Sequence, residues 1–323
     1  MWLFCLSLLF GCEKENLNSE IPISSADLNV NATNMVTVTS TGLNFDAPDE
    51  IPSGWTTFRY MNKTPGVHFF VLEKLPEGKT VDSTINQVLP PFQAGMDFYR
   101  QGDFAQAFGE DGFGGLPGWF FNVEFSGGPG LIDPGKTAIA TVDLEAGTYV
   151  IECYVKSPDG KFHSLRGMVD QIIVTEESNG KREPKADVSL VINSANGIRI
   201  ENEIRRPGNH TFSVFFEDQS AYGNLLGHDV HLVKFEKGFN EEDRAILNDW
   251  INWLFVDFAN NSLIAEGLVA PAPENLSFLG GMQELPAGKT GYFSAVLTPG
   301  DYALISEIVD SMGRNLYTVF SVK

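Results

Sequence analysis

Cys153, His163 and Met168 lie in one stretch, Gly147 to Val174 (GTYVIECYVKSPDGKFHSLRGMVDQIIV), and offer a thiolate, an imidazole and a thioether. These are soft or borderline donors, and together they suit copper, above all when a second imidazole joins them. His68, in the apolar run GVHFFVL, is available as that imidazole. Taken singly, each residue has a plainer reading: a buried thiol, a surface histidine, a core methionine, a histidine satisfied by a carbonyl. Cys153 is the only cysteine after residue 12, so disulfides play no part in the fold. An unpaired thiol in an oxidising compartment is a liability unless it is buried or metal-bound. A thiol nucleophile with His163 as its base fits less well, because an apolar strand beside a methionine does not activate a thiolate.

The elements that must position these residues read as β. A strand is predicted over Gly147–Val155, a turn at Ser157-Pro158-Asp159-Gly160 and a last strand over Met168–Val174. Upstream, β patterning starts at Met35, with a turn at Pro52-Ser53-Gly54, a strand over Trp55–Asn62, a turn at Lys63–Gly66 and His68 in the next strand. A helix capped by Asp82 or Ser83 follows, broken at Pro90-Pro91, with a second helix over Phe92–Phe108. The Gly- and aromatic-rich segment Gly112–Gly130 lacks a phosphate-binding pattern and reads as turns that carry Trp119, Phe120 and Phe121 onto the sandwich.

Cys, then His, then Met five residues further on, ahead of a last strand and after an earlier His, resembles the ligand set of the cupredoxins, the blue-copper proteins. The resemblance covers about residues 35–175. It implies one type 1 copper per chain held by His68, Cys153, His163 and Met168, with the thioether as a weak axial donor. Nine residues separate Cys153 from His163, more than in small cupredoxins and closer to the type 1 site of two-domain copper nitrite reductases. Phe69 stands where the family often has Asn. A reductase of that family also needs a second set of His, and here the corresponding positions are Glu73 and Glu152.

Feature order recurs in the second half. His68–Leu72 is echoed by His228–Leu232, Gly135-Lys136-Thr137 by Gly288-Lys289-Thr290, and Gly147-Thr148-Tyr149 by Gly300-Asp301-Tyr302. The second helical insert is predicted over Asn240–Phe258, with Ile246, Leu247, Trp250, Ile251, Leu254 and Phe258 on one face. An ungapped register from the Gly-x-Tyr pair sets Ser306 on Cys153 and Leu316 on His163, so the second copy is degenerate. His228 and His231 are expected at the surface. The expected fold is all-β: two tandem cupredoxin-like Greek-key β-sandwiches, each with a helical insert, at residues 35–175 and 187–323, with a polar linker at 176–186.

Residues 1–12, MWLFCLSLLFGC, resemble the tail of a bacterial lipoprotein signal with Cys12 as the lipidated residue. The polar residues 13–34 read as a flexible tether. These place the protein in the cell envelope, lipid-anchored at the outer membrane and touching it only through that lipid. The net charge of −20 argues against a nucleic-acid partner and suits a redox or copper-donor protein with a basic docking face. Two functions follow. One is a non-enzymatic carrier of electrons or copper. The other is a surface binding or structural module on the same scaffold, presenting the aromatic loops Trp119–Phe121 and Trp250–Phe255.

Overall fold

A computed structural model describes residues 35–323, apart from 203, 205, 223, 224 and 258–261. The expected signal with Cys12, the tether and Phe258 lie outside the described residues. The first half contains β1 (Met35–Ser40), β2 (Glu50–Asn62), β3 (Val71–Lys74), β4 (Glu124–Phe125), β5 (Thr137–Leu144), β6 (Gly147–Glu152) and β7 (Val169–Ser178). The second contains β8 (Val188–Asn193), β9 (Gly197–Ile200), β10 (Gly208–Phe216), β11 (Val230–Phe235), β12 (Phe255–Asp257), β13 (Ser262–Ala265), β14 (Leu276–Met282), β15 (Thr290–Leu297), β16 (Gly300–Ile305) and β17 (Tyr317–Val322). The chain is all-β with few helices. Residues 179–186 carry neither helix nor strand.

Strand pairing recurs between the halves. β1 and β2 are parallel, as are β8 and β10. β5 closes antiparallel on β2 as β15 does on β10. β3 lies between β4 and β6 as β11 lies between β14 and β16, and β7 follows β6 as β17 follows β16. The halves are also joined edge to edge: β5 pairs with β15 through Ile139–Ser294, Ala140–Phe293 and Thr141–Tyr292, giving one continuous 11-stranded sheet.

The turn expected at Pro52-Ser53-Gly54 is instead part of β2. Glu50–Ser53 pair with β7, and Gly54–Met61 pair with β5, with a register shift between Pro52 and Ser53. Gly54 has φ 101°, which lets the strand bend as it changes partner. Proline lacks an N–H, so it is tolerated where the ladder is already interrupted. From Thr56 onward alternate residues turn inward, burying Phe58 and Tyr60 edge-to-face against Phe70, with Phe45 packed on Tyr60 and Phe70. Burying each such ring contributes about 1.5–3 kcal/mol.

The first insert forms α1 (Val81–Gln87), α2 (Leu89–Arg100) and α3 (Phe104–Ala107). Thr80, rather than Asp82 or Ser83, is the N-cap of α1, and its backbone N–H donates to Ser83 Oγ (3.3 Å). Pro90 and Pro91 begin α2 instead of ending a helix, because first-turn N–H groups have no intrahelical acceptor to lose. The helix predicted over Phe92–Phe108 is split at Gly102, whose φ is 75°. In the second half α4 (Glu241–Ile251) is capped by Asn240, whose side chain accepts from Asp243 N–H, and it ends well before the predicted boundary. Leu247 and Ile251 are buried while Ile246 is exposed, so the apolar face is narrower than expected. Trp253 and Leu254 are buried beyond the end of the helix.

Candidate metal centre

Cys153 sits one residue past β6, where the ladder ends and the chain is free to turn. Its N–H donates to the Met168 carbonyl (3.1 Å) and its own carbonyl accepts from Ser164 N–H (3.0 Å). His163 N–H donates to the Val155 carbonyl (2.8 Å), and Met168 N–H donates to the His163 carbonyl (2.9 Å). Two of these bonds run among Cys153, His163 and Met168 and two tie the loop through Val155 and Ser164, so its frame is set before any metal is considered. Between Cys153 and His163 the chain forms a small hairpin in which Lys156 bridges to Phe162, with Gly160 (φ 77°) in the turn that begins at Ser157. Gly167 has φ 111°, and a Cβ there would stand 2.9 Å from the Leu43 carbonyl, so this position takes only glycine without a local shift.

His68 lies three residues before β3, fixed by a two-way backbone bridge to Ile132 (3.2 and 2.8 Å). Its Nδ1 is 3.7 Å from Cys153 Sγ and 3.2 Å from His163 Nδ1, and the donor atoms of all three residues lie within 4.8 Å of one another. Cys153 is 0 %, His68 2 % and His163 4 % exposed. Met168 is fully buried in the same core. Burial, then the neighbouring His163, lowers the His68 pKa to about 3; burial and Arg166 lower that of His163 to about 4. Both imidazoles are therefore neutral at pH 7, with lone pairs available. Burial pushes the Cys153 thiol up to about 12, so a metal must displace its proton. Two neutral imidazoles and a thiol converging in a dry pocket form a donor set that fits copper.

The second half supports this loop. Lys156, fully buried, donates from Nζ to the Trp253 carbonyl (2.9 Å), and its Nζ lies 3.6 Å from Glu266 and over the Trp253 ring. Burial lowers its pKa to about 7. Lys156 N–H also donates to the Leu268 carbonyl (2.8 Å), and Ala270 N–H donates back to the Lys156 carbonyl (2.9 Å).

The same backbone frame recurs without the ligands. Ser306 N–H donates to the Leu316 carbonyl (3.0 Å), as Cys153 does to Met168, and Leu316 N–H donates to Ser311 (2.8 Å), as Met168 does to His163. The ladder pairs His231 with Ile305 as it pairs Val71 with Glu152, which sets His228 at the place of His68. Ser306 thus stands at the Cys153 position, but Leu316 stands at that of Met168, and Ser311 at that of His163. The ungapped register failed because ten positions separate Cys153 from His163 and five separate Ser306 from Ser311; the second loop lacks the hairpin.

His228 and His231, expected at the surface, are both fully buried. His231 Nδ1 accepts from Leu131 N–H (3.1 Å), which leaves the proton on Nε2, and that proton is donated to Asp229 (2.7 Å). Asp229 also accepts from the Ser306 hydroxyl and from Glu307 N–H (3.0 Å), and Tyr154 of the first half donates to Glu307. The donor atoms of Asp229, His231 and Glu307 lie within 4.8 Å of one another. With the His231 proton committed and Asp229 accepting three bonds, this is a hydrogen-bonded lattice tying the halves together. Its signal in the sequence is faint: Asp229 and His231 alternate within an otherwise apolar run, and Glu307 comes from far along the chain.

No protein-family model matches the chain, and no curated protein matches it. Among solved structures it is similar to dithionite-reduced auracyanin from the photosynthetic bacterium Roseiflexus castenholzii (20 % identity, 45 % of this chain and 99 % of that one, TM-score 0.26). It is also similar to auracyanin A of Chloroflexus aurantiacus, a "blue" copper protein (22 % identity, 44 % and 98 %, TM-score 0.26). A third similarity is to the copper nitrite reductase of Nitrosomonas europaea (11 % identity, 90 % and 93 %, TM-score 0.24).

Proposed function

We propose that this is a cupredoxin-like protein that binds one type 1 copper through His68, Cys153, His163 and Met168, and that it carries electrons or holds copper without being an enzyme. One observation supports this reading above the rest: residues 68, 153 and 163, far apart in the chain, bring their donor atoms within 4.8 Å of one another in a buried pocket. Copper, when bound, supplies a one-electron couple. The protein's own residues do the remainder. The backbone bonds around Cys153, His163 and Met168 hold the donors in place, so little rearrangement accompanies binding. The core around Cys153 excludes water. Leu165, two residues past His163, is 37 % exposed, so the loop reaches solvent close to that ligand.

The rest of the reading belongs with this. Residues 35–175 form the copper domain, 176–186 a linker and 187–323 a domain that has lost the ligands. Export and lipid anchoring through Cys12 are supported by the apolar MWLFCLSLLFGC segment, and docking to a basic redox or copper-donor partner by the net charge of −20. Among the described residues no helix is long and apolar enough to cross a membrane. In the alternative, a surface binding module, Trp253 and Leu254 would have to face a partner, yet both are only 2 % exposed; Phe121, at 65 %, does face solvent.

Metal analysis and turnover assays test the proposal. Copper-loaded protein should hold one copper per chain and show no steady-state reduction of nitrite or oxygen with a reduced dye as donor. Turnover of about one per second or more, lost in Cys153→Ser, would mean that the chain is an enzyme.

A further inference from the structure

A cavity opens at the seam between the halves, beside the metal loop but separate from its donor atoms. Glu73 and Glu152 line it, and Phe92, Phe120, Phe125 and Trp253 are among its walls. Its volume is about 40 Å³. Since one water needs roughly 10–15 Å³ by that measure, there is room for about three or four heavy atoms.

The two carboxylates share a face. Val71 pairs with Glu152 across β3 and β6, so Glu73, two residues along, is the diagonal neighbour of Glu152 on the same side of the sheet. Glu73 is 4 % and Glu152 9 % exposed, and neither side chain forms a hydrogen bond with any described residue. Two adjacent buried acids without a donor are costly as anions, so each either keeps its proton or takes a cation as partner.

The walls narrow the choice of cation. A hard metal ion requires six or more oxygen ligands, and aromatic rings provide none. A quaternary ammonium would satisfy the rings but has no N–H for the carboxylates. A primary alkylammonium does both: it donates up to three hydrogen bonds and is attracted to ring faces. We propose that this cavity binds the ammonium head of a small free primary amine, with Glu73 and Glu152 as acceptors and the aromatic walls around it.

The test uses the full chain without added copper, at constant ionic strength, by calorimetric titration and thermal unfolding. Ethylammonium chloride should give a saturable heat and a saturable rise in Tm. Tetramethylammonium chloride and manganese(II) chloride should give neither. Glu73→Gln combined with Glu152→Gln should weaken ethylammonium by about tenfold or more, the loss expected when charge-assisted hydrogen bonds go. Phe120→Leu changes a half-buried wall residue without touching the acids, and should weaken it several-fold even if the double variant does not fold. Absence of saturable ethylammonium binding, tighter binding of manganese or of tetramethylammonium, or unchanged affinity in either variant would overturn the proposal.

Discussion

Two loops in this molecule share a backbone and differ in what they carry. The loop from Cys153 to Met168 and the loop from Ser306 to Leu316 are closed by matching backbone hydrogen bonds on matching strand pairs. In the first, side chains meet as Cys153, His163 and His68, whose side-chain contacts are with one another. In the second, Ser306 instead donates its hydroxyl to Asp229, which His231 also contacts. The frame is thus indifferent to chemistry: pairing and closure fix where four side chains point, and residue type decides whether they await a metal or satisfy each other. The second half still serves the first, because the extra hairpin in the longer loop docks through Lys156 onto Trp253, Leu268 and Ala270.

The comparison can be broken most severely at Asp229. Replacing it with Ala strands the His231 Nε2–H, the Ser306 hydroxyl and the Glu307 N–H, and should cost about 3–5 kcal/mol in denaturant unfolding. Cys153→Ala in copper-free protein loses only packing and should cost about 1 kcal/mol. Equal losses would mean that the two loops are not divided between lattice and metal pocket as described.

Copper affinity should depend on pH through the first loop alone. The thiol, held at about 12, keeps its proton at neutral pH, while His68 and His163, at about 3 and 4, are already neutral. Binding then releases one proton between about pH 5 and 11, and affinity rises about tenfold per pH unit. Calorimetry in buffers of different ionisation enthalpy measures that proton; a count of zero at pH 7 would contradict the buried thiol.

Stability without copper should show the opposite sign at the seam. Burial raises the Glu152 pKa to about 7, so from its unfolded value of 4.5 up to about 7 the native chain holds the extra proton and stability falls as pH rises. The lowered pKa values of His68 and His163 act the other way, adding stability from about pH 3–4 up to 6.5. Glu152→Gln should therefore lose less Tm than the parent between about pH 5 and 7.5. A parallel profile would place the Glu152 carboxyl in water. The smallest effect is expected from Met168→Leu, which nearly conserves volume and should cost under about 1.5 kcal/mol while keeping copper and raising its potential.

Much of the site was legible because its residues have few other uses. A cysteine with no other after residue 12, a histidine and a methionine close to it, and a histidine on an earlier apolar run restrict the chemistry whatever the exact fold. The all-β class was legible from alternation and turn residues. The Asp229–His231–Glu307 lattice was not, because burial of charge depends on distant partners such as Tyr154 and Leu131. The place of Leu316 was missed because a hairpin insertion is invisible to a register anchored at one end. The bend in β2 was missed because Pro52-Ser53-Gly54 signals a break in pairing, and whether the chain turns or changes partner depends on β7.

The central claim is that the first loop holds type 1 copper and the second does not. Titration of copper-free protein with Cu(II), followed in the visible range, tests it most directly. One equivalent should produce an intense thiolate charge-transfer band that is absent in Cys153→Ser and unchanged in Ser306→Ala. A colourless adduct, or a band that survives Cys153→Ser, would contradict it.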